Sequence, residues 1–431
     1  MLNRKHSWLR RHGYLKPTEA SVRSCEESGF SQGGATPFTF SAVDPFIYEL
    51  MLMKIDDLIT PALLIEKSRL LRNIKNMADK AHQNKVCLRP HIKTHKCMEI
   101  ANLQREYGAN GITVSTLGEA GTFIDHGFMD VTLAYPIIPD KFPRLGELAQ
   151  QAQLNIVTDH SAMIPLLEAY SIAADLQLTV LVKVDCGYHR CGIDPQDSRA
   201  ISLAKQIDAA SNLTFGGILT HAGHAYTAQS PQEIQAIANH EQDIMLHFSD
   251  SLQSHGLASE VVSIGSTPTA KLATRFKDGI TEIRPGNYVF FDNTQVALGV
   301  CRFTDCALSV LTSVVGVQDT HVVVDAGATA LSKDTGAAHI PSNQGYGVVL
   351  NPDENNTTHQ AIITSLSQEH GKITFADKTQ HKALSPGDHL RIIPNHSCLT
   401  ANLFAHYYVV DGNRVISTWS IHRNRLSSSP P

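Results

Sequence analysis

Between residues 86 and 284 the chain repeats one pattern eight times: a short apolar, β-branched run, then a longer stretch with apolar residues at helical spacing. The runs are Val86 to Pro90, Gly111 to Ser115, Val131 to Tyr135, Asn155 to Thr158, Leu178 to Val184, Phe215 to His221, Glu260 to Ile264 and Thr281 to Arg284. Amphipathic candidates between them include Gly118 to His126, Pro165 to Ala174, Ser198 to Ala210 and Pro231 to His255. Strands alternating with helices form an open doubly wound sheet or a closed barrel. Eight consecutive units with no odd strand favour closure, so an α/β fold with a (β/α)8 barrel of the TIM type is expected.

After Asp292 the texture changes. Alternating runs at Cys306 to Val317, His321 to Val324, His359 to Ser365, Gly371 to Phe375 and His389 to Ile393 are separated by turn clusters such as N-P-D-E-N-N and S-P-G-D. Helical periodicity nearly vanishes, which predicts an all-β domain packed against the barrel. Ahead of the barrel, Thr60 to Ile65, backed by a helix over Lys67 to Gln83, is placed to lend that second domain a strand. The expected organisation is an extension over 1–54, a barrel over 55–292 and a C-terminal β domain over 293–431.

Charge and cysteine usage narrow the partners. Lys and Arg total 36 against 41 Asp and Glu, a net charge of −5 with the signs well mixed, so neither nucleic acid nor an anionic membrane is indicated. A small molecule is the expected partner. No run approaches the ~20 apolar residues of a membrane span. The 8 cysteines are scattered with no secretory apolar segment ahead of them, which predicts reduced thiols and a cytoplasmic location. Cys186 and Cys191 lack the second pair that a closed zinc knuckle requires. Residues 1 to about 34, rich in Arg, Ser, His and Gly, show no periodicity and are expected to be disordered. Their basic, acid-free start admits an organelle transit peptide. A plain upstream extension is preferred, because M-L-M-K-I-D-D-L at Met51 reads as an ordinary protein start.

A barrel of this type holds its active site where the strands end and the following loops begin. Strand one runs into R-P-H-I-K-T-H-K (Arg89 to Lys96), strand five into V-D-C-G-Y-H-R-C-G, strand six into T-H-A-G-H-A-Y, strand seven into S-I-G-S-T-P-T and strand eight into R-P-G-N-Y. The last two are small-residue loops that expose backbone N–H groups and hydroxyls, the usual phosphate cradle of such barrels. A phosphate site across the mouth from a lysine at the end of strand one points to pyridoxal phosphate, whose aldehyde forms a Schiff base with a lysine amine.

Those motifs, in that order, resemble the fold-type III pyridoxal phosphate enzymes of the D-serine dehydratase and D-threonine aldolase family, from about residue 55 to the end. The resemblance implies a barrel of the alanine racemase N-terminal type. It makes Lys93 the cofactor anchor, with Lys96 a neighbour and not the anchor. It places Arg190 near the cofactor's phenolic oxygen, Tyr226 along its ring, and Thr267, Gly286 and Asn287 at its phosphate. His95 and His221 fall in matched segments without a settled role, His221 being counted with the cofactor site. Asp325 and Gly327 in V-D-A-G-A-T-A-L-S-K-D, and Glu369 and His370, match family segments as well, with no chemistry assigned.

In I-I-P-N-H-S-C-L-T-A-N, an extended backbone would put His396 and Cys398 on one face, where an imidazole and a thiolate can share a metal ion. Two protein donors leave positions open for substrate. The resemblance makes these residues the catalytic metal ligands. Its dehydratase members carry His-x-Cys with zinc, whereas the aldolases tend to carry His-x-Asp with a harder ion, so the cysteine favours a Zn2+-dependent dehydratase. The expected reaction is D-serine to pyruvate and ammonia, on a β-hydroxy-D-amino acid, in a homodimer. Retro-aldol cleavage by a D-threonine aldolase and a 3-hydroxy-D-aspartate dehydratase or aldolase are the alternatives. A racemase has no use for the H-x-C pair, and a non-catalytic pyridoxal phosphate carrier lacks the β domain.

Overall fold

The computed structural model describes residues 53–351, 359–377 and 379–423. The expected extension therefore lies almost wholly outside the described residues. Eight parallel strands form the barrel: β2 (Cys87–Leu88), β3 (Ile112–Val114), β4 (Asp130–Pro136), β5 (Gln153–Thr158), β6 (Leu178–Lys183), β7 (Leu213–Leu219), β8 (Val261–Ile264) and β9 (Glu282–Ile283), β1 being the earlier strand Ala62–Glu66. They are hydrogen-bonded in chain order from β3 to β9, and β9 pairs with β2. The ring closes between β2 and β3, where His91 bridges Thr113 and the N–H groups of Asn110 and Thr113 donate to the carbonyls of Leu88 and Pro90 at 2.7 and 2.8 Å.

The eight sequence runs each mark a barrel strand, with ends that shift. The first and last shrink to two residues, because Arg89 onward and Arg284 onward leave the ladder to enter the site loops. Arg89 instead ties strands together: its guanidinium reaches Asp130 at 2.7 and 2.8 Å and Glu282 at 2.5 Å, and Glu282 accepts from the Ser263 hydroxyl at 2.5 Å. Around the barrel lie α1 (Lys67–Gln83), α2 (Met98–Glu106), α3 (Leu117–Ile124), α4 (Phe142–Ala149), α5 (Met163–Ala173), α6 (Ser198–Ala209) and α7 (Pro231–Ser254). Neither α2 nor α4 is among the helices expected from the sequence. The longest, α7, starts at Ser230, whose side chain accepts the Glu233 N–H at 3.2 Å, with Pro231 at its first position.

The C-terminal part is mainly β, with only short helical turns: β10 (Leu308–Val317), β11 (Val322–Val324), β12 (Gly347–Leu350), β13 (His359–Leu366), β14 (Gly371–Phe375), β15 (His389–Pro394), β16 (His406–Asp411) and β17 (Arg414–Ser420). β10 pairs with both β15 and β11, and β11–β14–β13–β12–β15 links them, so six strands close on themselves. β1 pairs antiparallel with β10 and parallel with β16, and so belongs to this sheet, as the Thr60 to Ile65 run suggests. β16 and β17 are not among the expected strands, despite Gly412, whose φ of +59 makes the two-residue hairpin between Asp411 and Arg414. Asp325 proves structural. It accepts from the Thr60 and Thr312 hydroxyls at 2.5 and 2.6 Å and the Ser313 N–H at 3.0 Å, holding β10 and the segment before β1 together. Among the described residues no helix is long and apolar enough to cross a membrane.

Candidate active site

A cavity of about 780 Å³ opens at the C-terminal ends of the barrel strands. Lys93, Arg190, His221, Tyr226, Thr267, Gly286, Asn287, His396 and Cys398 all line it, although more than three hundred positions separate the first from the last. His95 does not. It is fully buried, its Nδ1 accepting the Cys97 N–H at 3.1 Å.

Lys93 sits in a single 3-10 turn, Ile92–Thr94, directly after β2. Burial is the main force lowering the affinity of its amine for a proton, with Arg190 and Arg284 adding to it against the opposing Cys398 and Glu119. An amine whose hold on its proton is loosened at a barrel mouth is better suited to act as a nucleophile and a base. Gly286 lets the loop after β9 press on this turn: a Cβ there would stand 2.8 Å from the His91 carbonyl oxygen and 2.9 Å from Thr94 Oγ1. His221 is held neutral, by burial first and then by Lys93 and Lys183. The Arg190 guanidinium lies 5.0 Å over the Tyr188 ring, whose centroid is 6.1 Å from that of His221, nearly edge-on. Tyr226 is partly buried beside Gln295 and Thr267, and desolvation pushes its phenol well above the ordinary range. Thr267 opens a short helix, Thr267–Leu272, and its hydroxyl accepts the Tyr288 N–H at 3.2 Å. Glu241 on α7 is buried between two site loops and accepts the N–H groups of Ala222 and Gly265 at 3.1 and 3.0 Å.

The Asn287 side-chain amide is committed elsewhere, donating to Asp292 at 2.7 Å and Ser397 at 2.8 Å. Only its backbone remains to meet a phosphate. Asp292 also accepts the N–H of Ser397 at 3.0 Å, and so fixes the segment that carries the H-x-C pair. That segment is not extended. β15 ends at Pro394, His396 has extended dihedrals as the N-cap, and Cys398 lies in the first turn of a short helix, Ser397–Ala401. Asp292 and Asn287 turn the chain into a helix here by holding its first residue. The two side chains still meet, and they do so through the helical turn. Burial opposes charge on His396, yet Cys398 and Asp334 push its proton affinity well up; the same imidazole draws the Cys398 thiol below its ordinary value against burial.

The β domain and the lysine turn are joined at several points. The Tyr407 hydroxyl donates to the His95 carbonyl at 2.7 Å, the Lys96 amine to Asn402 at 2.8 Å, and the His422 N–H to the Lys96 carbonyl at 2.8 Å. Thr94 Oγ1 is 3.2 Å from Cys398 Sγ.

Several lining residues are not among those the sequence singles out: Thr94, Lys183, Tyr188, Arg284, Asp292 and Asp334. Lys183 and Arg284 stand at strand ends, where the barrel rule alone is enough to find them. Asp334 closes the stretch V-D-A-G-A-T-A-L-S-K-D, in which Asp325 is the more conspicuous acid. Four cationic side chains, Lys93, Lys183, Arg190 and Arg284, line the cavity against the carboxylates Asp292 and Asp334. With the tight glycine at 286 and the buried, unpartnered His91 Nδ1, this donor set fits a phosphorylated aromatic cofactor that brings negative charge. Among the described residues no three His, Cys, Asp or Glu side chains are arranged to hold a metal. The imidazole and thiolate fit an ion with two protein donors and open positions.

A closed parallel barrel with a cavity-lining lysine after its first strand, joined to a β domain that contributes to the same cavity, defines the class of fold-type III pyridoxal phosphate enzymes. Two family models match in series: the alanine racemase N-terminal domain over residues 65–294 and the putative serine dehydratase domain over 307–410. The chain is 36% identical over 367 residues to D-threo-3-hydroxyaspartate dehydratase of Delftia sp. (strain HT23), covering 84% of this chain and 96% of that one. It is 34% identical over 396 residues to D-serine dehydratase of Dictyostelium discoideum, covering 86% and 98%. Among solved structures, D-threo-3-hydroxyaspartate dehydratase with a cysteine changed to alanine, in the metal-free form, matches with a TM-score of 0.82 at 34% identity, over 88% of this chain and 100% of that one. The same enzyme with a histidine two positions earlier changed to alanine matches at 0.83 and 34%, over 89% and 99%. The chain belongs to the family of pyridoxal phosphate-dependent lyases that includes D-serine dehydratase, D-threo-3-hydroxyaspartate dehydratase and D-threonine aldolase.

Proposed function

We propose that this chain is a zinc-assisted dehydratase of β-hydroxy-D-amino acids, converting D-serine to pyruvate and ammonia. The observation that carries the reading is the meeting of Lys93 with His396 and Cys398 in one cavity. When bound, pyridoxal phosphate supplies an electron sink for negative charge at Cα, and a divalent ion supplies Lewis acidity beside the β-hydroxyl. Lys93 would hold the cofactor and then take the Cα proton, a role suited to an amine whose proton affinity desolvation lowers. Arg190 and His221 would face the polar edge of the ring, and Tyr226 would line it. Thr267 and the backbone of Gly286 and Asn287 would hold the phosphate. His396 and Cys398 would hold the ion, and the soft thiolate favours zinc over magnesium or manganese. Because Lys93 comes from the barrel and the metal pair from the β domain, one hand of Cα presents its proton to the lysine. The family resemblance assigns it as D.

The thiolate also supports elimination over retro-aldol cleavage. A second substrate is favoured by a specific observation: with Lys93 committed to the cofactor, Lys183, Arg190 and Arg284 still outnumber the two lining carboxylates, which suits D-threo-3-hydroxyaspartate with its extra carboxylate. A cytoplasmic homodimer, organised as an extension over 1–54, a barrel over 55–292 and a β domain over 293–431, completes the reading. The free thiols of all seven described cysteines are in keeping with a reducing compartment.

The test is to supply D-serine, D-threo-3-hydroxyaspartate and D-threonine separately and assay keto acid, ammonia, glycine and aldehyde. Keto acid and ammonia in equal amounts are expected, with chelation stopping turnover while the cofactor's visible absorbance persists. Glycine as the main product would overturn the dehydratase reading, and full activity after chelation would overturn the metal's part in it.

A further inference from the structure

Each donor of the proposed metal pair is contacted by side chains outside the pair: His396 by Asp334, and Cys398 by Thr94 and, at 3.7 Å, by the Asn287 amide. His396 Nδ1 lies 3.1 Å from Asp334 Oδ2. An ionised carboxylate only accepts hydrogen bonds, so the proton of a neutral His396 belongs on Nδ1 and the lone pair on Nε2. Asp334 is itself built into place. It accepts the Gly336 N–H at 2.6 Å, and its carbonyl accepts from the Asn395 side chain at 3.3 Å, one residue before His396. Gly336 has a φ of +59, and a Cβ there would strike Thr294 and crowd Asn343, so the loop that presents Asp334 depends on glycine. The sulfur of Cys398 is contacted from the other half of the molecule, by Thr94 Oγ1 at 3.2 Å. Thr94 is 2% exposed and follows Lys93 directly, so its hydroxyl is held with little freedom.

We infer that Asp334 and Thr94 are positioning residues for the metal, Asp334 orienting His396 so that Nε2 is the donor and Thr94 anchoring the Cys398 sulfur through its hydroxyl. The inference rests on the proposed metal site and goes beyond it, since it names what orients each donor and joins the ion's affinity to the turn that carries Lys93. Such outer partners typically contribute 10- to 100-fold in metal affinity.

The experiment uses the full chain with pyridoxal phosphate bound, stripped of metal, and titrates Zn2+ against a chromophoric chelator. Asp334→Ala is expected to weaken zinc about 10- to 100-fold. Asp334→Asn should weaken it less, because an amide oxygen still accepts from Nδ1. Thr94→Val should weaken it at least several-fold, and Thr94→Ser should restore it. Titration with Co2+ adds a spectroscopic readout: the thiolate-to-metal band should persist in Asp334→Ala while the ligand-field bands shift. Visible cofactor absorbance and circular dichroism identify any variant that fails to fold, and Asp334→Asn and Thr94→Ser keep the test decisive in that case. If His396→Ala and Cys398→Ala bind zinc as tightly as the unaltered chain, the metal reading itself fails. If those two lose zinc while the Asp334 and Thr94 variants bind it unchanged, the metal site stands and this inference is overturned.

Discussion

The turn after β2 and the turn after β15 meet in one cavity, yet each arrives there by a different physical route. Lys93 is delivered by topology. The loops following barrel strands face the mouth, and closure of the ring brings those after β2, β6, β7, β8 and β9 together regardless of their sequence separation. His396 and Cys398 are delivered by packing. They lie past the end of a strand in a different sheet, and their place depends on Asp292, Asn287 and Thr94 reaching across from the barrel. On the proposed reading such a site divides its labour: the barrel would supply general cofactor chemistry, and the docked domain what selects the bond to be broken.

Four substitutions probe that division. Lys93→Ala should have the largest effect, a loss of turnover of at least about 10³-fold together with the visible absorbance of the lysine-bound cofactor. Intact lysine-type absorbance in that variant would break the assignment of the barrel's role. Gly286→Ala comes next. Its added methyl stands 2.8 Å from backbone at the lysine turn, and overpacking of about 1–3 kcal/mol translates into about 5- to 150-fold weaker cofactor binding, read by equilibrium dialysis. Tyr407→Phe removes the bond to the buried His95 carbonyl and should lower unfolding stability by about 1–3 kcal/mol while retaining absorbance, measured by chemical denaturation. An unchanged stability would mean that the two halves are not joined there.

The smallest effect is a pH dependence. Burial pushes the Lys183 amine from its ordinary 10.5 down to about 8. Its charged form is therefore disfavoured by the fold, the cost is fully present below pH 8, and it fades as pH rises toward 10.5. Lys183→Met should accordingly gain stability over the unaltered cofactor-free chain below pH 8, with the gain shrinking over that window in denaturation titrations. A gain independent of pH would show that the amine is not destabilised by burial.

Much of the barrel is legible in the sequence because its signal is periodic and redundant. Each of the eight strands is a short apolar run that has to be buried on both faces, and each run is visible without its neighbours. α2 and α4 are harder to see: each is a short helix lying close to a barrel strand, and Phe142-Pro143 reads more readily as a break than as a helix start. In the β domain, β12 reads G-V-V-L and carries too little pattern to separate from a turn. Within the site, chemistry-bearing motifs at strand ends are readable one by one, and the residues that orient them are not. Asp334 and Thr94 look in sequence like ordinary loop polar residues. Nothing in S-K-D-T-G announces a partner sixty-two positions away.

Local sequence determined the number of barrel strands, the lysine that follows the first of them, and the presence of an imidazole and a thiolate two residues apart, since each is written within a few neighbouring positions. Only the tertiary structure decided that the H-x-C pair rides a helical turn and not a strand, that the Asn287 side chain serves Asp292 and Ser397, and that Thr94 meets Cys398 while Asp334 meets His396. Those outcomes depend on which hydrogen-bond acceptors from distant segments arrive beside a short polar stretch. Such arrivals are set by the packing of two domains, and no local pattern encodes them.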